Sequence, residues 1–525
     1  MAVDSKAIEA NVVRYGPEGL EPPTGFGASV IDLGFNSAKL ANYHVNDRSN
    51  FRIVSQEDAK VKLGEDLDET GFLAESPMDR TLQVLKMFRE VIDLESPRYI
   101  LPVATSAVRE AANRDEFLHL AKNVAGLDFR LLSEEEEALL SYFGAVSSLR
   151  IPTGVFFDLG GGTLAIVSSE GYRVRKVLSL PLGARRLTYR YGDKRGLFQR
   201  KSYDKMKDHV LDLLPSRREL RLQRGAALVG IGGTIRAMAR FHQVESGYVL
   251  EKVHNYRMSY EEVNWCANRF LKMKKRDLAS IRAIGPSRSE TMAAGACVVR
   301  MLMKKLGMSE IVCSSHGLRE GTLALFLHDR RWFRSKVLEP ATVYRQLGSP
   351  GRMWTSNWDR YVSEMFASKL VSSEEYSLLS QARYLTKNTL RTADLRALFY
   401  QLVSVDSPLS HRDQLMLAIS IIATTAEGYA RLLFGEFSPP LKRKDRESIR
   451  RLSAAFELLE LLDRMGARLR ISVVRGRTKL EVAPSGALSE ELLARAVGKL
   501  RDEFALALSY SVTRREKSVP LEMLR

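Results

Sequence analysis

Five stretches of this chain set small residues beside a carboxylate or an arginine, a combination suited to holding phosphate and moving a proton next to it. Residues 155–167, VFFDLGGGTLAIV, place Asp158 just ahead of Gly160, Gly161, Gly162 and Thr163, between two apolar runs. Lacking Cβ atoms, the glycines let a turn bring several N–H groups to one anion, and Asp158 stands where a cation or a water can be held. An ordinary tight hairpin turn would use the same residues. An earlier stretch, 29–37, SVIDLGFNS, repeats Asp-Leu-Gly-x-x-Ser/Thr with Asp32, Gly34, Asn36 and Ser37, so an internal duplication is expected. Residues 228–240, LVGIGGTIRAMAR, offer another glycine turn at Gly232 and Gly233, with Thr234 as the expected helix cap. Residues 99–118 run from an apolar strand into Thr105 and Ser106, N-cap residue types opening a helix that carries Arg109. A helix N-terminus after a strand is an anion site by geometry, and arginine adds a permanently charged fork; capping alone would also account for the hydroxyls. The acid–base candidate is Glu137. In residues 131–146, LLSEEEEALLSYFGAV, Ser133 and Glu136 have capping-box spacing, which leaves Glu137 on another bearing, free to act as general base on a water.

The elements that must position these groups follow from periodicity. Phe51-Arg52-Ile53-Val54 reads as a strand, 60–71 as a charged loop, and 79–91 as a helix whose apolar face is Leu82, Leu85, Met87, Phe88 and Val91. Residues 177–186, VLSLPLGARR, give a strand and a Pro-x-Gly turn that bring two more arginines to the same region. Arg288 lies just ahead of an apolar helix over 291–306, and 311–313 is a short strand.

With 525 residues, 45% hydrophobic and 27% charged, the chain is globular and divides into about three or four domains. Its net charge of +17 favours a polyanionic partner. Cys266, Cys297 and Cys313 are far apart, so neither a disulfide framework nor a structural zinc site is expected, and a reducing, cytoplasmic setting fits. No secretory leader or membrane-spanning run is expected.

Beyond residue 330, Trp332, Trp354 and Trp358 and the turn at 348–351 read as a lead-in, followed from 372 by helices that include 414–433 and 448–465. Residues 469–474 and 478–482 read as a hairpin around Arg475-Gly476-Arg477. Basic clusters at Lys442-Arg443-Lys444, Arg450-Arg451 and 475–479 are either solvated faces or a track for a phosphate chain. His411 and Asp413 are not adjacent and His328-Asp329 has no companion histidines, so no second metal centre is expected there.

In order and spacing, VIDLGFNS, VATSAVREAANRDEFL, SEEEEA, FDLGGGT, SLPLGARRLT, GIGGTIRAMAR and HGLREGTL resemble the exopolyphosphatase and guanosine pentaphosphate phosphohydrolase family over about residues 27 to 330. The resemblance implies an α/β fold of two ribonuclease-H-like domains of the actin and sugar-kinase type, with a mainly helical C-terminal region. The implied layout is an extension over 1–26, domains over 27–148 and 149–330, a lead-in over 331–371 and a degenerate phosphohydrolase-like domain over 372–525. It implies a Mg²⁺-assisted hydrolase acting on inorganic polyphosphate or guanosine pentaphosphate, as a homodimer without specific nucleic-acid or membrane partners; a non-catalytic sensor is the alternative. Glu137 takes the role of base and Asp158 positions water or metal. Asp32, Asp158 and Glu137 are the implied metal ligands. Gly34, Asn36, Ser37, Arg109, Gly160, Gly161, Gly162, Thr163, Gly232, Gly233, Thr234 and Arg288 are the implied phosphate contacts. The chain departs from the family at Phe35, where serine is usual, at Lys39, where arginine or a similar residue is usual, and at Ala165, where glutamate is usual.

Overall fold

The computed structural model describes residues 25–512 apart from 48–49, 194–197, 331, 334–337, 348–356, 390–391, 475–476 and 485–488. The entry segment 1–24, the turn at 348–351, Trp354 and the hairpin tip at Arg475-Gly476 lie outside the described residues. Two compact units are formed, Met1–Ser349 and Pro350–Arg525.

The first unit holds two sheets. Strands β1 (Phe26–Leu33), β2 (Ser37–Asp47), β3 (Asn50–Lys60), β4 (Tyr99–Ala104) and β5 (Arg130–Leu131) lie in the order β3-β2-β1-β4-β5. Strands β6 (Gly154–Leu159), β7 (Leu164–Glu170), β8 (Arg173–Leu180), β9 (Ala227–Ile231), β10 (Tyr256–Ser259) and β11 (Glu310–Cys313) lie in the order β8-β7-β6-β9-β11-β10. In each sheet an antiparallel three-strand meander is extended by strands parallel to its first member. Antiparallel β10 is the one addition to the second. The repeated order is the structural form of the duplicated Asp-Leu-Gly motif, and the fold is α/β with two ribonuclease-H-like halves.

Alternation along β1 serves two cores at once. Ile31 and Leu33 face one side, where the helices Glu75–Glu95 and Arg114–Ala125 cover the sheet; Ala28 and Val30 face the other. On the Glu75–Glu95 helix the buried face is Met78, Leu82, Leu85, Phe88 and Ile92, each burial worth about 1.5–3 kcal/mol. Met87, expected on that face, is 59% exposed, because a residue adjacent to Phe88 turns about 100° away.

The second face of the first sheet is completed from far along the chain. Leu323, Phe326 and Leu327 of the helix Leu318–His328 pack with Phe26, Tyr43 and Tyr99. The helix Glu134–Leu149, earlier in sequence, packs on the second sheet against Phe156, Val167 and Val229. The two helices touch through glycine: a Cβ on Gly144 would overlap the Gly317 carbonyl oxygen, and one on Gly321 the Leu140 carbonyl oxygen. Tyr43 donates to Glu320 Oε1 at 2.6 Å and ties the Leu318–His328 helix to β2. Burial works to raise the Glu320 carboxyl, yet Arg319, His316 and the Tyr43 hydroxyl hold it down at about 2.

The first unit reaches further than residue 330. The helix Pro340–Leu347 lies in it, and Leu338 N–H donates to Glu136 at 3.0 Å. The second unit is mainly helical, with the three-stranded sheet β12 (Arg468–Val474), β13 (Arg477–Ala483) and β14 (Leu508–Val512). The expected hairpin pairs antiparallel, and β14 adds a parallel strand to it. The helix expected over 414–433 is two, His411–Ala423 and Glu427–Glu436.

Candidate active site

Both Asp-Leu-Gly motifs close the same kind of turn. Gly34 N–H bonds to the Ser37 carbonyl and Gly160 N–H to the Thr163 carbonyl, each at 3.0 Å. Among the described contacts the N–H groups of Phe35, Asn36, Gly161 and Gly162 find no acceptor in the chain, which leaves two pairs of donors for an anion. The carbonyls of the second turn are tied back. Gly162 accepts from Gly183, Gly160 from Ala184, and Gly161 from Arg185 and Arg186, at 3.0–3.1 Å. Only glycine allows this approach at 183, where a Cβ would overlap the turn itself.

These turns, the residues Thr105 and Ser106, and the helix Gly233–Glu245 enclose a cleft of about 200 Å³. Asp32, Gly34, Asn36, Ser37, Glu137, Asp158, Gly160, Gly161, Gly162, Thr163, Gly233, Thr234 and Arg288 all line it. The structure therefore gathers most of the residues singled out in the sequence, although 256 positions separate Asp32 from Arg288. Arg109 and Gly232 stand behind the wall. Gly232 has φ +95°, and a Cβ on it would lie 2.5 Å from Asp158 Oδ1, so glycine is needed for Asp158 to occupy its place.

Glu137 lies on the first turn of its helix. Ser133 and Glu136 make the full capping box, and Glu136 is also paired with Arg130, which leaves Glu137 to face the cleft. Arg109 Nη1 bridges Glu137 Oε2 at 3.1 Å and the Leu132 carbonyl at 2.9 Å; its Nη2 is buried without an acceptor. Burial lifts the Glu137 carboxyl to about 7; Arg109 pulls it down, and the negative charges of Asp158 and Asp32 push it up. One turn further along the same helix face, Ser141 donates to Asp158 Oδ2 at 2.8 Å. Burial likewise raises Asp158, against the Ser141 hydrogen bond, Lys39 and Arg236.

Cross-strand register sets what stands beside each aspartate. Asp32 pairs with Lys39, whose ammonium is 3.8 Å away, and Asp158 pairs with Ala165. At the mouth, Arg288 packs over Gly233 and lies 4.0 Å from Asp58. Burial first, then the charges of Arg236 and Arg240, lowers its guanidinium against the pull of Asp58.

Two sequence expectations are corrected. Thr105 precedes its helix but makes no cap bond; its hydroxyl goes to the Leu33 carbonyl at 3.3 Å, since the backbone there is not in cap geometry. Thr234 lies inside its helix, and Gly232 holds the cap position. Ser141 was missed in the sequence; its i+4 spacing from Glu137 was the available signal.

The sequence pattern of the Ppx/GppA phosphatase family matches residues 43–329. Exopolyphosphatase 2 of Mycobacterium tuberculosis is 28% identical over 309 residues, spanning 56% of this chain and 96% of that protein. A bifunctional 3-dehydroquinate synthase/phosphatase of Fusobacterium nucleatum is 27% identical over 297 residues, 54% of this chain but only 44% of that protein's length. The crystal structure of the Aquifex aeolicus member of the Ppx/GppA family superposes with a TM-score of 0.51 at 26% identity, over 58% of this chain and 99% of that one. An exopolyphosphatase from Cytophaga hutchinsonii, at 23% identity and a TM-score of 0.53 over 57% and 98%, shares the fold. With over half its length matched and both glycine turns and Glu137 in one cleft, the chain belongs to the Ppx/GppA phosphatase family.

Proposed function

We propose that the protein is an exopolyphosphatase that releases orthophosphate from the end of inorganic polyphosphate by attack of water. The observation that carries the reading is Glu137: a carboxyl raised to about 7, facing a cleft whose turns leave four N–H donors without acceptors among the described residues. A general base works best when its pKa lies near the working pH. In this reading Glu137 takes the proton of the attacking water, and Arg109 keeps the carboxylate aimed. The glycine turns and the N-terminus of the Gly233–Glu245 helix hold the phosphate oxygens, where fixed N–H dipoles stabilise developing charge.

Mg²⁺ fits the cleft as an ion carried partly by substrate. Asp32 and Asp158 both line it, and the charge of one raises the carboxyl of the other, a repulsion that a divalent cation relieves. Among the described residues no cluster of three acidic, histidine or cysteine ligands forms, so phosphates and water would supply the other oxygens. Held by Asp32 and Asp158, the ion would neutralise phosphate charge.

The same cleft would serve a guanosine pentaphosphate 5′-phosphohydrolase, and the sensor reading draws on Ala165. One assay separates them: orthophosphate release from long polyphosphate, tripolyphosphate and guanosine pentaphosphate, by wild type and Glu137→Gln. We expect release from both inorganic chains and a loss of at least about a thousandfold in the variant. Release from guanosine pentaphosphate alone would favour the nucleotide reading, and binding without release the sensor.

A further inference from the structure

Phe35, where the family resemblance leads one to expect serine, lines the cleft half-buried. Gly64 lies so close to it that a Cβ there would come within 2.5 Å of the ring carbons. Another neighbour is Arg185, whose guanidinium carbon is 5.4 Å from the Phe35 ring centroid and 5.0 Å from that of Tyr189. Tyr189 is four residues on from Arg185 in the helix Ala184–Tyr191, so the two side chains share a face. Arg185 Nη1 donates to Asn36 Oδ1 at 3.2 Å. A planar guanidinium held beside two rings and fixed by a hydrogen bond has little freedom left.

That cation is unspent. Arg185 is 7% exposed and lines the cleft between the two glycine turns, joined to one by Asn36 and to the other by its own N–H bond to Gly161. A guanidinium carries five N–H donors, and among the described residues one finds an acceptor. Among the described residues no carboxylate lies within ion-pairing distance of it, although its neighbours Arg186 and Arg288 have Glu110 at 3.7 Å and Asp58 at 4.0 Å. Its charge is felt at Lys60 and Glu65, whereas Arg109 is the cation beside Glu137. It therefore stands away from the base.

We propose that Arg185, clamped by Phe35 and Tyr189, is a phosphate-binding residue that grips the chain behind the phosphate being removed. This rests on the cleft being a phosphate site, as proposed above. The clamp makes the grip specific to arginine, since an ammonium in its place keeps the charge but loses the planar contact with the rings.

The test uses the full chain with tripolyphosphate, in wild type, Arg185→Ala, Arg185→Lys and Phe35→Leu. We expect Arg185→Ala to raise KM about tenfold to a hundredfold, the usual weight of charge-assisted hydrogen bonds, with kcat changed less than about threefold. Arg185→Lys and Phe35→Leu should fall between it and wild type. A kcat loss at unchanged KM, or a KM within about twofold of wild type, would overturn the assignment. Should Arg185→Ala fail to fold, Arg185→Lys and Phe35→Leu decide by the same KM criterion. Should wild type release no phosphate from any chain, the hydrolase reading falls and calorimetric binding of inorganic triphosphate tests Arg185 by itself. An affinity loss of about tenfold or more in the variants sustains the proposal, and equal affinity ends it.

Discussion

At the scale of single residues, the pair Glu137 and Arg109 makes a prediction about pH. The base must be ionised to accept a proton, so with its carboxyl at about 7 the rate should rise with pH through that value and then level off. Arg109 is the group that holds the carboxyl down, by charge and by hydrogen bond. Arg109→Met should therefore move the acid limb of kcat/KM to higher pH by about one unit. A limb that stays in place in that variant would mean that another group sets it. Ala165 gives a second prediction. It pairs with Asp158 across β6 and β7, so a glutamate there emerges on the same face beside the aspartate. Ala165→Glu should lower the Mg²⁺ concentration needed for half-maximal phosphate release, read from a metal titration. An unchanged requirement would show that position 165 does not serve the ion.

At the scale of elements, the helices Glu134–Leu149 and Leu318–His328 approach so closely that the positions at their contact must lack side chains. Gly144→Ala and Gly321→Ala should each destabilise the first unit by about 1–3 kcal/mol through overpacking, read as a lower denaturation midpoint. Because the Glu137 helix is displaced in both, kcat should fall as well; a stable, fully active Gly321→Ala would contradict the contact. This crossing was not legible in the sequence. Gly144 and Gly321 look there like ordinary helical glycines, and what excludes a methyl group is the carbonyl of Gly317 or of Leu140, on the other helix and far away in sequence. The Asp-Leu-Gly turns were legible, because an apolar run followed by small residues records a local geometry that the turn needs wherever it occurs. The capping box at Ser133 was legible for the same reason, and it is what singled out Glu137. Thr105 and Thr234 misled because a cap residue type says nothing of the backbone angle it will adopt.

At the scale of the whole chain, part of the positive charge on the second unit is already matched by carboxylates, while Lys442, Arg443 and Lys444 stay exposed. Arg450 is 3.5 Å from Glu503, Arg451 is 2.6 Å from Glu375 and Lys479 is 3.0 Å from Glu481. Of the basic clusters considered as a track for polymer, these members are matched by carboxylates. Removing residues 350–525 should then raise KM for long polyphosphate and for tripolyphosphate by about the same factor, with salt weakening both substrates. A loss confined to the long chain would assign the polymer track to the second unit after all.

The helix Leu318–His328 also fixes an order of events during synthesis. The first sheet is made early, yet Phe26, Tyr43 and Tyr99 on one of its faces wait for Leu323, Phe326 and Leu327, and Tyr43 waits for a partner 277 residues downstream. At about 5–20 residues per second, the ribosome needs about 15–60 s to supply them. Throughout that interval the nascent first half has one covered face and one bare apolar face. A chain stalled before residue 318 carries both glycine turns and the Glu137 helix and still cannot close the core beneath them.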